Sequence, residues 1–287
     1  MEHLFIIGFG YVGKRIATLA REEGRRVSAL NRKGTGMDGV ELHTADLDDP
    51  ASLAGLPVKG AGVIFLAPPP GGGNQETRMR NFLASLPAGA APAKLVYLST
   101  SAVYGDCQGE VVTEESPAQP QTSRGKRRLD GEEQALEWGR AHGVPVVVLR
   151  VGAIYAADRL PFMQLQNRLP VLREDLCRPT NRIHAEDLAR VCLAALERGR
   201  DGAIYNVSDG HPTTMTDYFN RAADCLGLPR PPQVDWEEAR RVMTPLMLTY
   251  FSEARILDNG RMLRELGVTL RYPDLAAGLA EGEPKHP

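Results

Sequence analysis

Apolar residues fall in short dense runs, and between the runs they recur at every third or fourth position. Leu4–Ile7, Val27–Leu30, Val63–Ala67, Leu95–Ser99 and Val146–Leu149 are such runs, each bounded by Gly, Pro or polar turns. That length and those boundaries predict strands buried on both faces. A further strand should end just before Asp46. Between the first two runs, Val12, Ile16, Leu19 and Ala20 share one helical face, closed by Gly24 as a left-handed C′ residue. Asp49 and Pro50 predict the N-cap and first position of a short helix to Leu56, and Thr77–Leu86 and Arg124–His142 supply two more helices. Strand–helix–strand alternation imposes parallel pairing with right-handed crossovers. The expected fold class is α/β, a doubly wound parallel sheet.

The second half is less regular. Glu186–Arg198 reads as a helix with Leu188, Val191, Cys192 and Ala195 on one face, and Ala203–Val207 as another strand. Thr216 is the expected cap of a helix to Leu226, closed by Gly227. Asn259 is the expected cap of another to Leu266, closed by Gly267. The Pro-rich stretch Pro229–Pro232 separates the first of these helices from the rest of the chain. The tail 281–287 is polar and expected to fray. These elements divide into a dinucleotide-binding Rossmann unit of residues 1–160 plus about 183–210, and a small C-terminal α/β substrate-binding lobe of 161–182 and 211–287.

Composition adds exclusions. With 287 residues, 43% apolar and 24% charged, the chain has the make-up of an ordinary globular protein. A net charge of −2 gives no whole-molecule attraction to nucleic acid or to an anionic membrane. Leu4–Ile7 is too short to span a bilayer or serve as a signal-peptide core. Cys107, Cys177, Cys192 and Cys225 lie far apart with no C-x-x-C pair, so reduced thiols in a cytoplasmic protein are expected. The six histidines are scattered, and no metal site is expected.

The candidate chemistry begins at Gly8-Phe9-Gly10-Tyr11-Val12-Gly13, which comes directly after the first strand and opens the first helix. In that context Gly8 permits a tight turn, Gly10 lets backbone approach a pyrophosphate, and Gly13 lets helix and strand pack closely. The helix start then presents unpaired N–H groups and a positive dipole end to the anion. Where an NAD site usually carries Asp or Glu, the second strand ends in Asn31, Arg32 and Lys33. A guanidinium suits a 2′-phosphate, so NADP is expected and NAD is the lesser expectation. Asp46 suits either the adenine amino group or a local N-cap.

These residues, with Ala45-Asp46-Leu47, Leu98–Asp106, Leu149–Tyr155, Arg182–Ala189 and Tyr205–Gly210, resemble the extended short-chain dehydrogenase/reductase family of nucleotide-sugar epimerases and dehydratases. The resemblance covers nearly the whole chain. It implies a Rossmann domain with a small substrate lobe, cofactor contacts at Tyr11, Val12, Leu47 and Leu66-Ala67-Pro68, and a strand-end hydroxyl at Thr100 with Ser101 beside it. Dimerisation is common in that family. Its Tyr-x-x-x-Lys should open the long helix after Asp106, but in that register Arg124 stands for the tyrosine and Arg128 for the lysine.

Arginine has no acceptor and holds its proton, so it cannot relay one. Arg128 could still hydrogen-bond the nicotinamide ribose, and Arg124 could hold an anionic substrate or polarise a carbonyl. The basic run Arg124, Lys126, Arg127, Arg128 reads equally as a solvated helix start. Tyr104 and Tyr155 are expected to pack structurally, and His184 to cap or join the core. Two functions fit these residues. One is an NADP-dependent oxidoreductase or epimerase/dehydratase-like enzyme acting on a small or nucleotide-linked molecule, an anion among the candidates. The other is a non-catalytic NADP-binding sensor or interaction protein.

Overall fold

The computed structural model describes residues 1–34 and 36–280; the tail 281–287, with its expected fraying, lies outside them. Seven parallel strands form one sheet: β1 (His3–Ile7), β2 (Arg26–Asn31), β3 (Val40–Thr44), β4 (Gly62–Phe65), β5 (Lys94–Thr100), β6 (Val146–Val151) and β7 (Ile204–Val207). Their order is β7-β6-β5-β4-β1-β2-β3. The chain leaves β1 first for β2 and then returns to its other side at β4, so a crevice opens between β1 and β4 at the carboxyl ends.

Period two sends alternate residues of β1 to opposite layers. Leu4 and Ile6 pack with Ile16 and Ala20 of α1 (Tyr11–Glu22). Phe5 and Ile7 pack with Met79 and Phe82 of α2 (Thr77–Ala84) and Ala135 of α3 (Ser123–His142). Helix α4 (Ala185–Arg198) joins α1 on its face through Leu188, Val191 and Cys192. The doubly wound α/β sheet is therefore present, with helices on both faces.

Past β7, α5 (Met215–Cys225), α6 (Trp236–Val242) and α7 (Pro245–Ser252) enclose a separate cluster of Leu165, Leu172, Phe219, Ala222 and Phe251. Three local expectations are corrected. Thr214, not Thr216, caps α5, accepting from Asp217 N at 2.9 Å; the buried Thr216 hydroxyl instead donates to the Leu172 carbonyl. Asn259 gives no side-chain cap to the helix Gly260–Leu266, because its amide donates to the Ser208 carbonyl. The short helix after Asp49 is a 3-10 turn that stops at Leu53. No helix among the described residues is long and apolar enough to cross a membrane.

Candidate active site

The glycine turn is fixed by contact as well as by conformation. Gly8 sits at φ +92°, and a Cβ there would lie 2.6 Å from the Ala67 nitrogen at the end of β4. A Cβ on Gly13 would lie 3.1 Å from the Gly8 carbonyl oxygen and 3.3 Å from Ile6 Cγ2. At Gly10 the same construction meets open space. Gly10 is also the N-cap of α1 and brings no side chain, so Tyr11, Val12 and Gly13 present N–H groups without an intrahelical partner. The turn is thus closed on its protein side and open on the side that would meet an anion. This shape suits a dinucleotide diphosphate.

Around that turn the predicted cofactor residues divide. Asn31 donates to the Phe9 carbonyl and accepts from Lys33 N at 3.1 Å, tying the end of β2 to the turn. Arg32 and Lys33 stand exposed beyond it. Asp46 accepts from Asp48 N at 3.0 Å, a local turn contact, while Asp49 caps the 3-10 turn. Asp48 takes a two-pronged bond from Arg78, and these bonds, with Arg32 nearby, hold its carboxyl below the usual range. Leu47 is core, and its carbonyl accepts from the Asn81 amide at 2.7 Å. Leu66 packs beside the turn, Ala67 is buried against it and Pro68 is exposed. The Tyr11 hydroxyl is engaged with Asp158, which also pairs with Arg15 at 2.7 Å.

The basic run is divided: Arg124 and Lys126 are exposed, whereas Arg127 and Arg128 turn inward. Arg127 is buried and donates to the Gly73 carbonyl. Arg128 is buried between two strand ends, one nitrogen reaching the carbonyls of Leu98 (2.9 Å) and Ala67 (3.3 Å). Arg128 therefore lies at the β4–β5 rim of the crevice, where the resemblance sets a lysine. Unlike these two neighbours, Arg124 lines a cavity of about 250 Å³ together with Thr100, Ser101, Asn181, Tyr250, Glu253 and Arg255. Thr100 ends β5 and accepts from Ala102 N, capping the turn Ser101–Tyr104. Arg255 donates to the Ser101 carbonyl at 2.9 Å and pairs with Glu253 at 2.7 Å.

Tyr250, Glu253, Arg255 and Asn181 are not among the residues the sequence singles out. Thr244-Pro245, a cap succeeded by Pro at the first helical position, is the signal that could have found α7 and with it Tyr250.

Three other proton-transfer candidates are structural. Tyr104 donates to Asn206 and Tyr155 to the Asp274 carbonyl, both from buried positions. His184 caps α4, its Nδ1 accepting from Glu186 N, and packs on Tyr155 and Tyr272. Burial, with the Arg15 cation adding to it, pushes His184 down to about 4.

Nearby, Asp209 is pushed up to about 6 by burial and by Asp274; one of its oxygens accepts from His211 N and the other is buried without a partner. The two groups oppose each other. A depressed histidine contributes stability that is present above pH 6.5 and lost as pH falls toward 4. A raised carboxyl contributes stability that is present below about 3.8 and lost as pH climbs to 6. Asp209→Asn should therefore leave the His184 trend uncovered, and urea midpoints should rise more steeply between pH 4 and 6.5 than in the parent protein.

The parallel sheet, the glycine turn and the strand-end hydroxyls define a dinucleotide-binding α/β protein. More particularly, residues 4–208 match the model of the NAD dependent epimerase/dehydratase family, and the chain belongs to that family. It is similar to Protein YeeZ of Escherichia coli K12, at 25% identity over 96% of this chain and 97% of that one. Among solved structures it resembles a functionally unknown conserved protein from Silicibacter pomeroyi (30% identity, 98% and 100% coverage, TM-score 0.78). It also shares the fold of MoeE5, solved in complex with UDP-glucose and NAD (21% identity, 97% and 96% coverage, TM-score 0.75).

Proposed function

We propose that this protein is an NADP-dependent oxidoreductase whose cofactor diphosphate rests on the start of α1. The observation that carries this reading is the uncapped helix end above a turn in which Gly8 and Gly13 are forced by contact while Gly10 faces open space. A bound nicotinamide supplies hydride transfer. The chain's own residues bind and orient: Arg32 and Lys33 at the adenosine phosphate, Asp46 at the adenine, Leu66 and Ala67 behind the diphosphate, and Arg128 at the nicotinamide ribose. Thr100 and Ser101 then offer hydroxyls to a substrate oxygen.

The preference for NADP rests on charge. Arg32 is exposed, and no carboxylate at the end of β2 competes for a 2′-hydroxyl. Losing a charge-assisted hydrogen bond costs about 1.5–3 kcal/mol, or about 10–100-fold in affinity. Arg32→Ala should weaken NADPH by that factor and leave NADH binding nearly unchanged, as read by coenzyme fluorescence titration. Equal losses for both coenzymes would remove the NADP assignment.

The substrate is proposed to be small and anionic. The cavity beside Thr100, at about 250 Å³, falls below the roughly 300–1,000 Å³ of pockets that bury drug-sized ligands. The MoeE5 complex holds UDP-glucose, a larger molecule. Two guanidinium groups, Arg124 and Arg255, against one carboxylate, Glu253, leave the lining cationic. Coenzyme binding without turnover on a panel of small carbonyl acids would favour a sensor over an enzyme.

A further inference from the structure

We propose that Tyr250 is the proton donor of this site, supplied from α7 in place of the tyrosine missing at the head of α3. The inference rests on the oxidoreductase reading and names a residue for it. Arg124 occupies the family's tyrosine position, and its Nη1 lies 3.3 Å from the Tyr250 hydroxyl. Guanidinium has no acceptor, so in this bond Arg124 donates and the phenol oxygen accepts. The phenolic proton is thereby left to point elsewhere. Tyr250 lines the same cavity as Thr100 and Ser101, and a side chain that is 41% exposed is within reach of water.

Tyr11, Tyr104 and Tyr155 do not offer this combination. Their hydroxyls are spent on Asp158, Asn206 and the Asp274 carbonyl. Position and partner are both explained by local structure. Thr244 accepts from Met247 N and Pro245 sets the first turn, so α7 starts where Tyr250 projects toward Arg124. The family's arrangement sets a lysine beside the tyrosine on one helix; here two elements meet, a cation from α3 and a phenol from α7.

The step balances. Tyr250 gives its proton to a substrate carbonyl oxygen as the carbonyl carbon accepts hydride from reduced nicotinamide. The C=O π bond becomes a C–O–H, the nicotinamide is oxidised, and the phenolate left behind faces the Arg124 cation. Water returns the proton to Tyr250. In the oxidative direction the same groups run in reverse.

The test uses the full chain labelled with 13Cζ-tyrosine. The Tyr250 resonance is identified as the one missing from the Tyr250→Phe spectrum. It should move when Arg124→Ala is introduced, and move again when NADP+ is added to the parent protein. For any small carbonyl acid the parent reduces, Tyr250→Phe should lower kcat by about 10²–10⁴-fold while NADPH affinity stays within about twofold. A Tyr250 resonance that stays fixed while NADP+ saturates the protein would overturn the assignment, as would a variant kcat within about threefold of the parent. Failure of the parent to bind NADP+ or NADPH would overturn both this inference and the function it rests on, and the titration separates that case from the others.

Discussion

Removing Glu132 is expected to cost about 3–5 kcal/mol, because it strands a charged guanidinium in the interior. Glu132 and Arg150 are 1% and 4% exposed, and three donor contacts join them, the shortest 2.7 Å. Glu132 also accepts from the Ser99 hydroxyl, one residue before Thr100. Arg150 lies 4.7 Å from the centre of the Tyr104 ring, whose hydroxyl reaches Asn206 on β7. The pair thus ties α3 to the ends of β5, β6 and β7 directly beneath the proposed substrate cavity.

For Glu132→Leu the melting temperature should fall by roughly 6–15 °C. The double variant Glu132→Leu with Arg150→Met should recover most of the loss, since replacing both members of a buried pair removes the desolvation penalty along with the attraction. Calorimetric melts of the two singles and the double check this. A double variant no more stable than Glu132→Leu alone would show that the pair's worth lies in positioning the strand ends.

Gly8→Ala should be the most damaging single change at the proposed cofactor site. A residue with a Cβ at φ +92° carries a backbone cost of about 1–3 kcal/mol, and this Cβ would also press on the backbone of Ala67 at 2.6 and 2.9 Å. Ala67 cannot yield cheaply, because its carbonyl is held by Arg128 and the neighbouring Leu66 N donates to Ile7 O at 2.7 Å. We expect roughly 2 kcal/mol or more of lost stability in urea titrations. Coenzyme affinity should fall at least about tenfold, because the turn opens where the diphosphate would sit. Gly10→Ala is the contrast: its Cβ meets no protein atom, so stability should hold and the loss should be confined to binding.

Most of the sheet was legible because its inner strands are buried on both faces and therefore appear as short unbroken apolar runs. Each such run is found as a strand, within a residue or two at its ends, as β1, β2, β4, β5 and β6; β3, Val-Glu-Leu-His-Thr, has no fully buried residue and offers no such run. The C-terminal helices were less legible for physical reasons. Helix α6 is seven residues dominated by charge, and α7 is apolar on nearly every face, so neither carries the period that distinguishes a helix. The glycine turn could be read since its chemistry is contiguous in sequence. The cavity could not: the Arg124–Tyr250 contact joins positions 126 residues apart. Nor could the sequence tell that Arg127 and Arg128 are buried, since the groups that receive them are the backbone carbonyls of Gly73, Ala67 and Leu98, which carry no side-chain signature.

The most direct measurement is a titration of 15N-labelled protein with NADPH, monitored at the backbone amides of residues 8–13. Saturable shifts at Gly10, Tyr11, Val12 and Gly13, larger than those elsewhere on the sheet and reached at lower concentration than with NADH, are the predicted result. Spectra of folded protein in which these amides stay still under both coenzymes would contradict it.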